Sequence, residues 1–318
     1  MRRVLITGGA GFLGAHVASA LARRDDVELV VAADVRDTPA RDGVVNALLD
    51  VTDAAAVAPL LRAHRIDTVV HLAAIVNPGR DVDREYRVDV IGSANVLAAC
   101  VETGVRRIVV SSSGAAYGYH PDNPAWIDES TPLRGNDAFP YARHKRLVEE
   151  MLSDCRSEHP GLEQVVFRIG TILGPTVRNQ ITALWDGRRI LRIAGSDSPF
   201  VFVWVDDVAT AMVRAATDGP AGVFNVAGDG RLTVPQIAAR LGKRQLVVPA
   251  WALDAALRLG RMLRLTEHGP EKVPFLRWRP VLSNRRLIED FGFTPTRTSA
   301  EAFEEYLVTH PSVSRRRE

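Results

Sequence analysis

The chain has 318 residues, of which 46% are hydrophobic and 25% are charged, so it is long enough to bury a large core and to form two lobes. Its 40 basic and 38 acidic residues nearly cancel, which argues against a general nucleic-acid-binding protein. One basic run, Arg315-Arg316-Arg317, is expected to be a solvated tail.

Cysteine and histidine usage is typical of a protein of the reducing cytoplasm that has no metal centre. The two cysteines, Cys100 and Cys155, argue against a disulfide scaffold. The 8 histidines show no pairing at metal-ligand spacing. No apolar run reaches the roughly 18 residues that cross a bilayer, and the first strand begins too early for a signal peptide. We therefore expect a cytoplasmic protein with no metal, no membrane span and no nucleic-acid partner.

The predicted elements begin with residues 4–14, VLITGGAGFLG, which indicate a buried strand, a glycine turn and the start of a helix. Gly8 permits a tight reversal, Gly11 keeps a Cβ away from a bound phosphate, and Gly14 lets the helix lie close to its strand. The start of that helix presents free N–H groups to an anion. This pattern predicts a site for the diphosphate of a dinucleotide.

An acidic residue strengthens that prediction, because glycine turns by themselves are common. Asp34 follows a second predicted strand and lies 20 positions after Gly14, where a carboxylate can hold the adenosine ribose hydroxyls. Its charge would repel the 2′-phosphate of NADP, although Arg36, two positions later, could soften that preference. We predict NAD as the cofactor, with NADP as the less favoured choice.

Strands and helices alternate along the first half of the chain. The predicted strands there are Val4–Ile6, Leu29–Ala33, Val44–Leu49, Thr68–Leu72, Arg107–Ser111 and Gln164–Arg168. The predicted helices are Phe12–Arg24, Ala54–His64 with Asp53 as its N-cap, Tyr86–Thr103 and Tyr141–Glu158. Such alternation predicts an α/β fold, a Rossmann-type doubly wound parallel sheet whose ligands bind at the carboxyl ends of the strands.

The pattern changes after about residue 172. The predicted elements of the second half are the strands Phe200–Val205 and Val223–Val226 and the helices Gln180–Trp185, Val208–Ala216, Val234–Arg240, Ala250–Leu265 and Ala300–Thr309. We predict a dinucleotide-binding domain over residues 1–172, to which segments near 200–226 return. Residues 173–318 are then a smaller, mostly helical, interleaved substrate-binding lobe.

A tyrosine and a lysine carry the predicted chemistry. Tyr141 and Lys145 lie four positions apart at the start of a helix, so they share a face. A phenol normally has a pKa near ~10, and a neighbouring ammonium lowers that value toward one useful for proton transfer. A hydroxyl from Ser111-Ser112-Ser113, at the end of the fifth strand, could orient the substrate oxygen. These groups predict a proton relay beside a hydride acceptor.

Six features occur in order along the chain: TGGAGFLG, Asp34, DVTD at residues 50–53, HLAA at 71–74, SSSGAAYG at 111–118 and YARHK at 141–145. Together they resemble the extended short-chain dehydrogenase/reductases, the NAD-dependent epimerase/dehydratase group. Segments 204–208 and 291–295 extend the likeness over nearly the full length. The resemblance implies a small-molecule substrate and a homodimer.

The resemblance also implies a role for each matching residue. The implied catalytic residues are Ser113, Tyr141 and Lys145. The implied cofactor-binding residues are Gly8, Gly11, Phe12, Leu13, Gly14, Asp34, Asp50, Val51, Ala73, Tyr141 and Lys145.

The chain departs from the family pattern at two positions. Asp89 replaces an asparagine that the family often has three residues before Gly92, so it either alters the local proton network or is exposed. Phe200 replaces an arginine with which sugar-nucleotide enzymes hold a diphosphate. Candidate replacements for that arginine are Arg178, Arg188, Arg189, Arg192, Arg277 and Arg279, although each could equally be surface charge.

Three functions are open from the sequence. The first is an epimerase or dehydratase that acts on a secondary alcohol of a sugar or sugar nucleotide, as UDP-glucose 4-epimerase does. Epimerase is favoured, because Gly114 and Ala115 stand where dehydratases have an acidic pair.

The second function is that of an NAD(P)-dependent reductase or dehydrogenase of an apolar ketone or alcohol, resembling 3β-hydroxysteroid dehydrogenase or dihydroflavonol reductase. Phe200, Phe202 and Trp204 could line its pocket or belong to the core. The third is a non-catalytic NAD-responsive binding protein.

Overall fold

A parallel β-sheet organises the computed structural model, which describes residues 1–76, 81–266 and 269–313. The strands are β1 (Arg2–Thr7), β2 (Val27–Asp34), β3 (Val44–Leu48), β4 (Thr68–His71), β5 (Arg107–Ser113), β6 (Glu163–Ile169), β7 (Thr171–Leu173), β8 (Arg189–Ile193), β9 (Phe202–Trp204), β10 (Gly222–Val226) and β11 (Arg244–Val248). The basic run Arg315-Arg316-Arg317 lies outside the described residues.

Helices connect and cover these strands. They are α1 (Phe12–Leu21), α2 (Ala54–Ala63), α3 (Val82–Tyr86), α4 (Gly92–Thr103), α5 (Pro140–Glu158), α6 (Val205–Thr217), α7 (Val234–Arg240), α8 (Ala250–Met262), α9 (Lys272–Arg277), α10 (Arg285–Glu289) and α11 (Ser299–Thr309). A π-helical turn, Arg87–Ile91, joins α3 to α4, and short 3₁₀ turns cover Gly114–Tyr117 and Thr182–Trp185.

The central sheet has the strand order β10-β6-β5-β4-β1-β2-β3, and all of its neighbouring strands are parallel. The order reverses direction between β1 and β4, which creates a crevice at the carboxyl ends of these strands. This arrangement confirms the predicted Rossmann-type doubly wound sheet. Two-stranded parallel pairs, β7 with β9 and β8 with β11, lie outside it.

The apolar run of β1 explains why the sheet is buried on both faces. Val4 and Ile6 belong to one buried cluster, with Val17 of α1 and Met212 of α6, while Leu5 belongs to the cluster of the opposite face. Successive side chains of a strand point to opposite faces, so a continuous apolar run serves both. The sheet therefore holds the carboxyl ends of its strands in a rigid frame.

Several predicted boundaries were wrong for identifiable reasons. The helix predicted at Tyr86–Thr103 begins at Val82 and contains the π-turn, which a regular helical period does not reveal. The strand predicted at Phe200–Val205 covers only Phe202–Trp204, and the helix predicted at Gln180–Trp185 is a 3₁₀ turn over Thr182–Trp185. Asp53 does cap α2, since its side chain accepts a hydrogen bond from Ala55 N–H.

Segments of the second half include two strands that the sequence analysis missed, β8 and β11. Both are short and carry arginines among their apolar residues, so they lack a clear strand pattern. Strand β10 pairs with β6 at the edge of the central sheet. The division into lobes at residue 172 stays a prediction. In the described part of the chain, no helix is long and apolar enough to cross a membrane.

Candidate functional site

A cavity of about 1160 Å³ opens at the carboxyl ends of the central strands, and we call it the groove. All of the predicted catalytic and cofactor-binding residues line it: Gly8, Gly11, Phe12, Leu13, Gly14, Asp34, Asp50, Val51, Ala73, Ser113, Tyr141 and Lys145. The fold therefore brings these residues together in one place, although their individual roles stay predictions.

The glycine turn has a backbone shape that only small residues allow. Gly8 has a φ of +72°, which favours glycine, and its carbonyl oxygen accepts a hydrogen bond of 3.0 Å from Gly11 N–H. A Cβ at Gly14 would lie 2.2 Å from that oxygen, so α1 could not pack against the turn in the same way. Gly11 is the N-cap of α1 and provides no side-chain cap. The first N–H groups of the helix thus suit the phosphates of a dinucleotide.

Asp34 ends β2 at the edge of the groove and is fixed by backbone donors. Its Oδ2 accepts a hydrogen bond of 3.0 Å from Ala10 N–H of the glycine turn, and its Oδ1 accepts one of 3.2 Å from Arg36 N–H. The Arg36 side chain is 68% exposed, and its Nε lies 3.5 Å from Asp34 Oδ1. This places a negative charge at the position that the sequence predicts to hold an adenosine ribose.

Replacing Asp34 with alanine is expected to shift the cofactor preference toward NADP. The change removes repulsion of a 2′-phosphate and leaves Arg36 free to bind it, so we expect the ratio of the two dissociation constants to change about 10- to 100-fold. Calorimetric titration with NAD and NADP measures both constants. Asp37→Ala, which changes the same charge at an exposed position outside the groove lining, is the control. An unchanged ratio in Asp34→Ala would contradict this assignment.

Three further residues line the groove: Asp50 and Val51, which are predicted to flank the adenine, and Ala73, which is predicted to form the wall beside the cofactor. Asp50 accepts hydrogen bonds from Thr52 N–H and Oγ1–H, at 2.9 and 2.7 Å, so a local turn fixes its side chain. Val51 is buried, whereas Ala73 is half-buried and donates its N–H to Thr7 Oγ1 over 3.3 Å. These contacts give the groove a rigid, partly apolar wall.

The predicted catalytic residues come from β5 and α5. Lys145 donates a hydrogen bond of 2.8 Å from Nζ to Ser111 O, and the same Nζ lies 5.8 Å from the centre of the Tyr141 ring. Ser113, the last residue of β5, accepts a hydrogen bond of 3.2 Å at Oγ from Ala115 N–H. One turn of α5 thus presents a phenol and an ammonium to the groove, with a hydroxyl opposite them on β5.

A buried histidine behind the groove was missed by the sequence analysis. His71 Nδ1 lies 2.7 Å from Thr7 Oγ1, and its Nε2 lies 2.9 Å from Ser93 Oγ. Burial, aided by the positive charge of Lys145, lowers the pKa of His71 to about 4, while Asp89 opposes the shift. His71 is therefore a neutral structural group at physiological pH. Its position inside the HLAA motif was the available signal.

The free energy of unfolding is expected to fall as the pH decreases from about 6.5 to 4, because the unfolded chain protonates His71 first. Above this pH range, neutral His71 makes its full contribution to the free energy of unfolding. At pH 4 the part of that free energy that has been lost approaches about 3 kcal/mol. Urea unfolding across this range, for the wild-type protein and for His71→Gln, isolates the effect. His159→Gln, at an exposed position, is the control. Equal pH slopes for wild type and His71→Gln would contradict a depressed pKa.

The candidate arginines separate into two groups. Arg178 and Arg279 line the groove. Those that lie elsewhere are Arg188, Arg189, Arg192 and Arg277. Arg279 Cζ lies 3.8 Å from the centre of the Phe200 ring and 4.9 Å from that of Phe275. Burial lowers the pKa of Arg279 to about 9, which keeps it positively charged at neutral pH.

The aromatic residues that could have lined an apolar pocket are mainly core. Phe202 and Trp204 belong to a buried cluster with Trp185 and Phe303, and Phe202 stacks on Phe303 at 5.4 Å between ring centres. Phe200 belongs to the same cluster but also lines the groove, where Arg279 covers its ring. The alternating aromatic side chains of residues 200–204 therefore pack in the core more than they line the groove.

A buried ion pair supports β5 behind the site. Glu149 of α5 and Arg168 of β6 are both buried, with Arg168 Nη2 2.7 Å from Glu149 Oε2. Arg168 Nη1 also donates to Tyr117 Oη over 2.8 Å, and Ser112 Oγ donates to Glu149. The network joins α5 to β5 and β6, on which the predicted catalytic residues depend. No sequence motif had pointed to it.

Some curated relatives match nearly all of the chain, and others match about half of it. An uncharacterized protein of Mycobacterium tuberculosis is 28% identical over 313 residues, which is 95% of this chain and 82% of that protein. A UDP-glucose 4-epimerase of Azospirillum brasilense is 32% identical over 180 residues, 54% of this chain and 49% of that protein. The solved structure of the UDP-glucose 4-epimerase of Thermus thermophilus, in complex with NAD, has a TM-score of 0.73 and 28% identity, with 98% of both chains covered.

A family model assigns the chain to a defined group. The NAD dependent epimerase/dehydratase family model matches residues 4–227, which is more than half of the 318 residues. The match includes the glycine turn, Asp34, Ser113, Tyr141 and Lys145. It confirms the predicted cofactor, NAD. The chain belongs to the NAD dependent epimerase/dehydratase family.

Proposed function

We propose that this protein is a sugar-nucleotide epimerase of the UDP-glucose 4-epimerase type. The observation that carries the proposal is one groove that contains both the Tyr141–Lys145 pair and the cation of Arg279. The epimerases of Thermus thermophilus and Azospirillum brasilense support the same class. We further propose cytoplasmic activity, in keeping with the free, buried Cys100 and Cys155, and a homodimer as the resemblance implies.

Arg279 is suited to replace the arginine that is missing at position 200. Its guanidinium lies on the Phe200 ring, so a residue far along the chain brings a positive charge to that position. Nη1 donates a hydrogen bond to Ser198 O over 3.2 Å, while Nε has no partner among the described residues. A half-buried cation on the wall of an open groove is a good site for an anionic diphosphate.

The same contact argues against an apolar ketone as substrate. The reductase hypothesis depended on an aromatic pocket formed by Phe200, Phe202 and Trp204. Two of these side chains are core, and Arg279 covers the third. A steroid-like substrate would have to bury the charged guanidinium without a partner, which is costly.

The groups at the groove can complete an epimerisation without net oxidation. When bound, NAD supplies the hydride acceptor. Tyr141 Oη takes the proton of the substrate hydroxyl as the carbon–hydrogen bond breaks, and it returns that proton when hydride returns to the opposite face of the ketone. Lys145, held by Ser111 O, places a positive charge beside Tyr141 that stabilises negative charge on the phenol oxygen. Ser113 Oγ orients the substrate oxygen.

Replacing Arg279 with alanine tests the proposal with UDP-glucose as the substrate. We expect KM to rise about 10- to 100-fold with little change in kcat, because a charged contact to a non-reacting diphosphate is lost. Conversion of UDP-glucose into UDP-galactose, without added NAD, is followed by NMR. Arg277→Ala, at a position outside the groove lining, is the matched control. No conversion of any UDP-hexose, together with stabilisation by steroid-like ketones in a thermal-shift panel, would refute the proposal in favour of the reductase.

A further inference from the structure

A buried acid–base pair joins the predicted catalytic helix α5 to the π-turn, and neither of its residues lines the groove. Asp89 is 4% exposed, and His144 is 1% exposed. Asp89 Oδ2 lies 3.0 Å from His144 Nδ1, so the imidazole donates to the carboxylate. His144 lies between Tyr141 and Lys145 in α5. The proton transfer described above does not use either residue.

The π-turn accounts for the direction of the Asp89 carboxylate. Asp89 is the middle residue of the turn Arg87–Ile91, where the helix is wider than an α-helix. Ser93 Oγ donates a hydrogen bond of 2.5 Å to Asp89 O, which helps to hold the widened turn. Such turns are frequent at functional sites because they redirect one side chain without ending the helix.

The second carboxylate oxygen of Asp89 holds the wall of the groove. Residues 72–76, which follow β4, line the groove and form that wall. At one end Leu72 N–H donates to Thr7 O over 3.1 Å. At the other end Ile75 N–H donates to Asp89 Oδ1 over 2.7 Å. Asp89 therefore anchors the wall at Ile75, three residues beyond the anchor at Leu72.

From these contacts we propose that Asp89 is a positioning residue that sets the cofactor wall and the catalytic helix relative to each other. One oxygen holds Ile75 in the wall, and the other holds His144 of α5, the residue directly before Lys145. Asp89, which departs from the family pattern, and His144 thus form one connection between the wall and α5. Of the proposed function, the inference needs only that the groove binds NAD. Family membership supports NAD binding whatever the substrate is.

A carboxylate is suited to this task because it accepts at both ends. An asparagine has one carbonyl oxygen, so it could accept from Ile75 but would present an amide N–H₂ group to His144. His144 would then have to change its tautomer. The edge of the Tyr86 ring contacts His144, with 5.6 Å between the ring centres, and helps to fix the orientation of the imidazole. Asp89→Asn therefore separates the two contacts.

The decisive experiment measures NAD affinity in the full-length protein by calorimetry. We expect Asp89→Ala to raise the NAD dissociation constant about tenfold, because the wall loses its second anchor and must be ordered on binding. Asp89→Asn and His144→Ala keep an acceptor for Ile75 but lose the contact to α5, so they should raise the constant by an intermediate amount, about threefold, and wild-type affinity in both would contradict the link to α5. Asp83→Ala, at an exposed carboxylate in α3, is the matched control.

Hydrogen exchange at the Ile75 amide provides a second readout, because it reports the contact with Asp89 Oδ1 directly while NAD affinity reports its consequence. We expect faster exchange in Asp89→Ala and protection near the wild-type level in Asp89→Asn. If Asp89→Ala does not fold, Asp89→Ser replaces it, since its hydroxyl is too short to reach both partners. Folded Ala or Ser variants with wild-type NAD affinity would overturn the proposal. NAD effects as expected, but no turnover of sugar nucleotides, would refute only the proposed substrate.

Discussion

Replacement of Tyr141 by phenylalanine is expected to lower kcat about 10³-fold, the size of effect typical of a lost general acid–base group. The ring remains in the groove beside Lys145 and at most one hydrogen bond to the cofactor is lost, so NAD affinity should fall by less than about tenfold. Only the oxygen that exchanges the substrate proton is removed. Steady-state rates with UDP-glucose measure the first quantity, and calorimetry measures the second.

Tyr306→Phe is the control, because Tyr306 lies in the core cluster around Trp185 rather than in the groove. It should change kcat by less than about twofold. If Tyr141→Phe left turnover unchanged, the proton transfer assigned to Tyr141 would be wrong. If neither the wild type nor any variant turned over a substrate while all bound NAD, a non-catalytic binding protein would explain the chain better.

Replacement of Glu149 by leucine is expected to lower the free energy of unfolding by about 3–5 kcal/mol. The substitution leaves the buried guanidinium of Arg168 without its anionic partner, while Tyr117 Oη and Glu129 O remain as neutral acceptors. An unpaired buried charge is the main cost, since the pair itself contributes much less than its removal suggests. Urea unfolding followed by circular dichroism measures the change.

Two comparisons sharpen this test of the buried pair. Replacing both Glu149 and Arg168 with leucine should recover much of the loss, because no uncompensated charge then remains. Removing an exposed partner, as in Arg258→Ala of the Arg258–Asp254 pair, should leave the free energy of unfolding near the wild-type value. A loss below about 1 kcal/mol for Glu149→Leu would show that the pair is hydrated.

The sequence predicted the fold, and the residues that it assigned to NAD line one groove, because both depend on local patterns. The apolar run of β1, the glycine turn and Asp34 each occupy a short stretch with a recognised geometry. A parallel sheet then brings the ends of its strands together, so Ser113 and Tyr141 reach the same groove. The four-residue spacing of Tyr141 and Lys145 places both on one face of α5.

Contacts between distant segments could not be predicted in the same way. Arg279 reaches the ring of Phe200 from a loop after α9, and no spacing rule connects those positions. Asp89 meets His144 only because a π-turn redirects its side chain and α5 passes beside it. Strands β8 and β11 form a pair by themselves, and their mixed arginine and apolar pattern is too short to identify a strand.

Isotope tracing tests the central claim, that hydride leaves and returns within one groove while Tyr141 carries only the hydroxyl proton. UDP-glucose carrying deuterium at C4 is incubated with the protein in ordinary water, and the UDP-galactose is examined by NMR. We predict that deuterium is retained at C4 of the product and that no solvent hydrogen appears there. Loss of the deuterium to solvent would contradict the account.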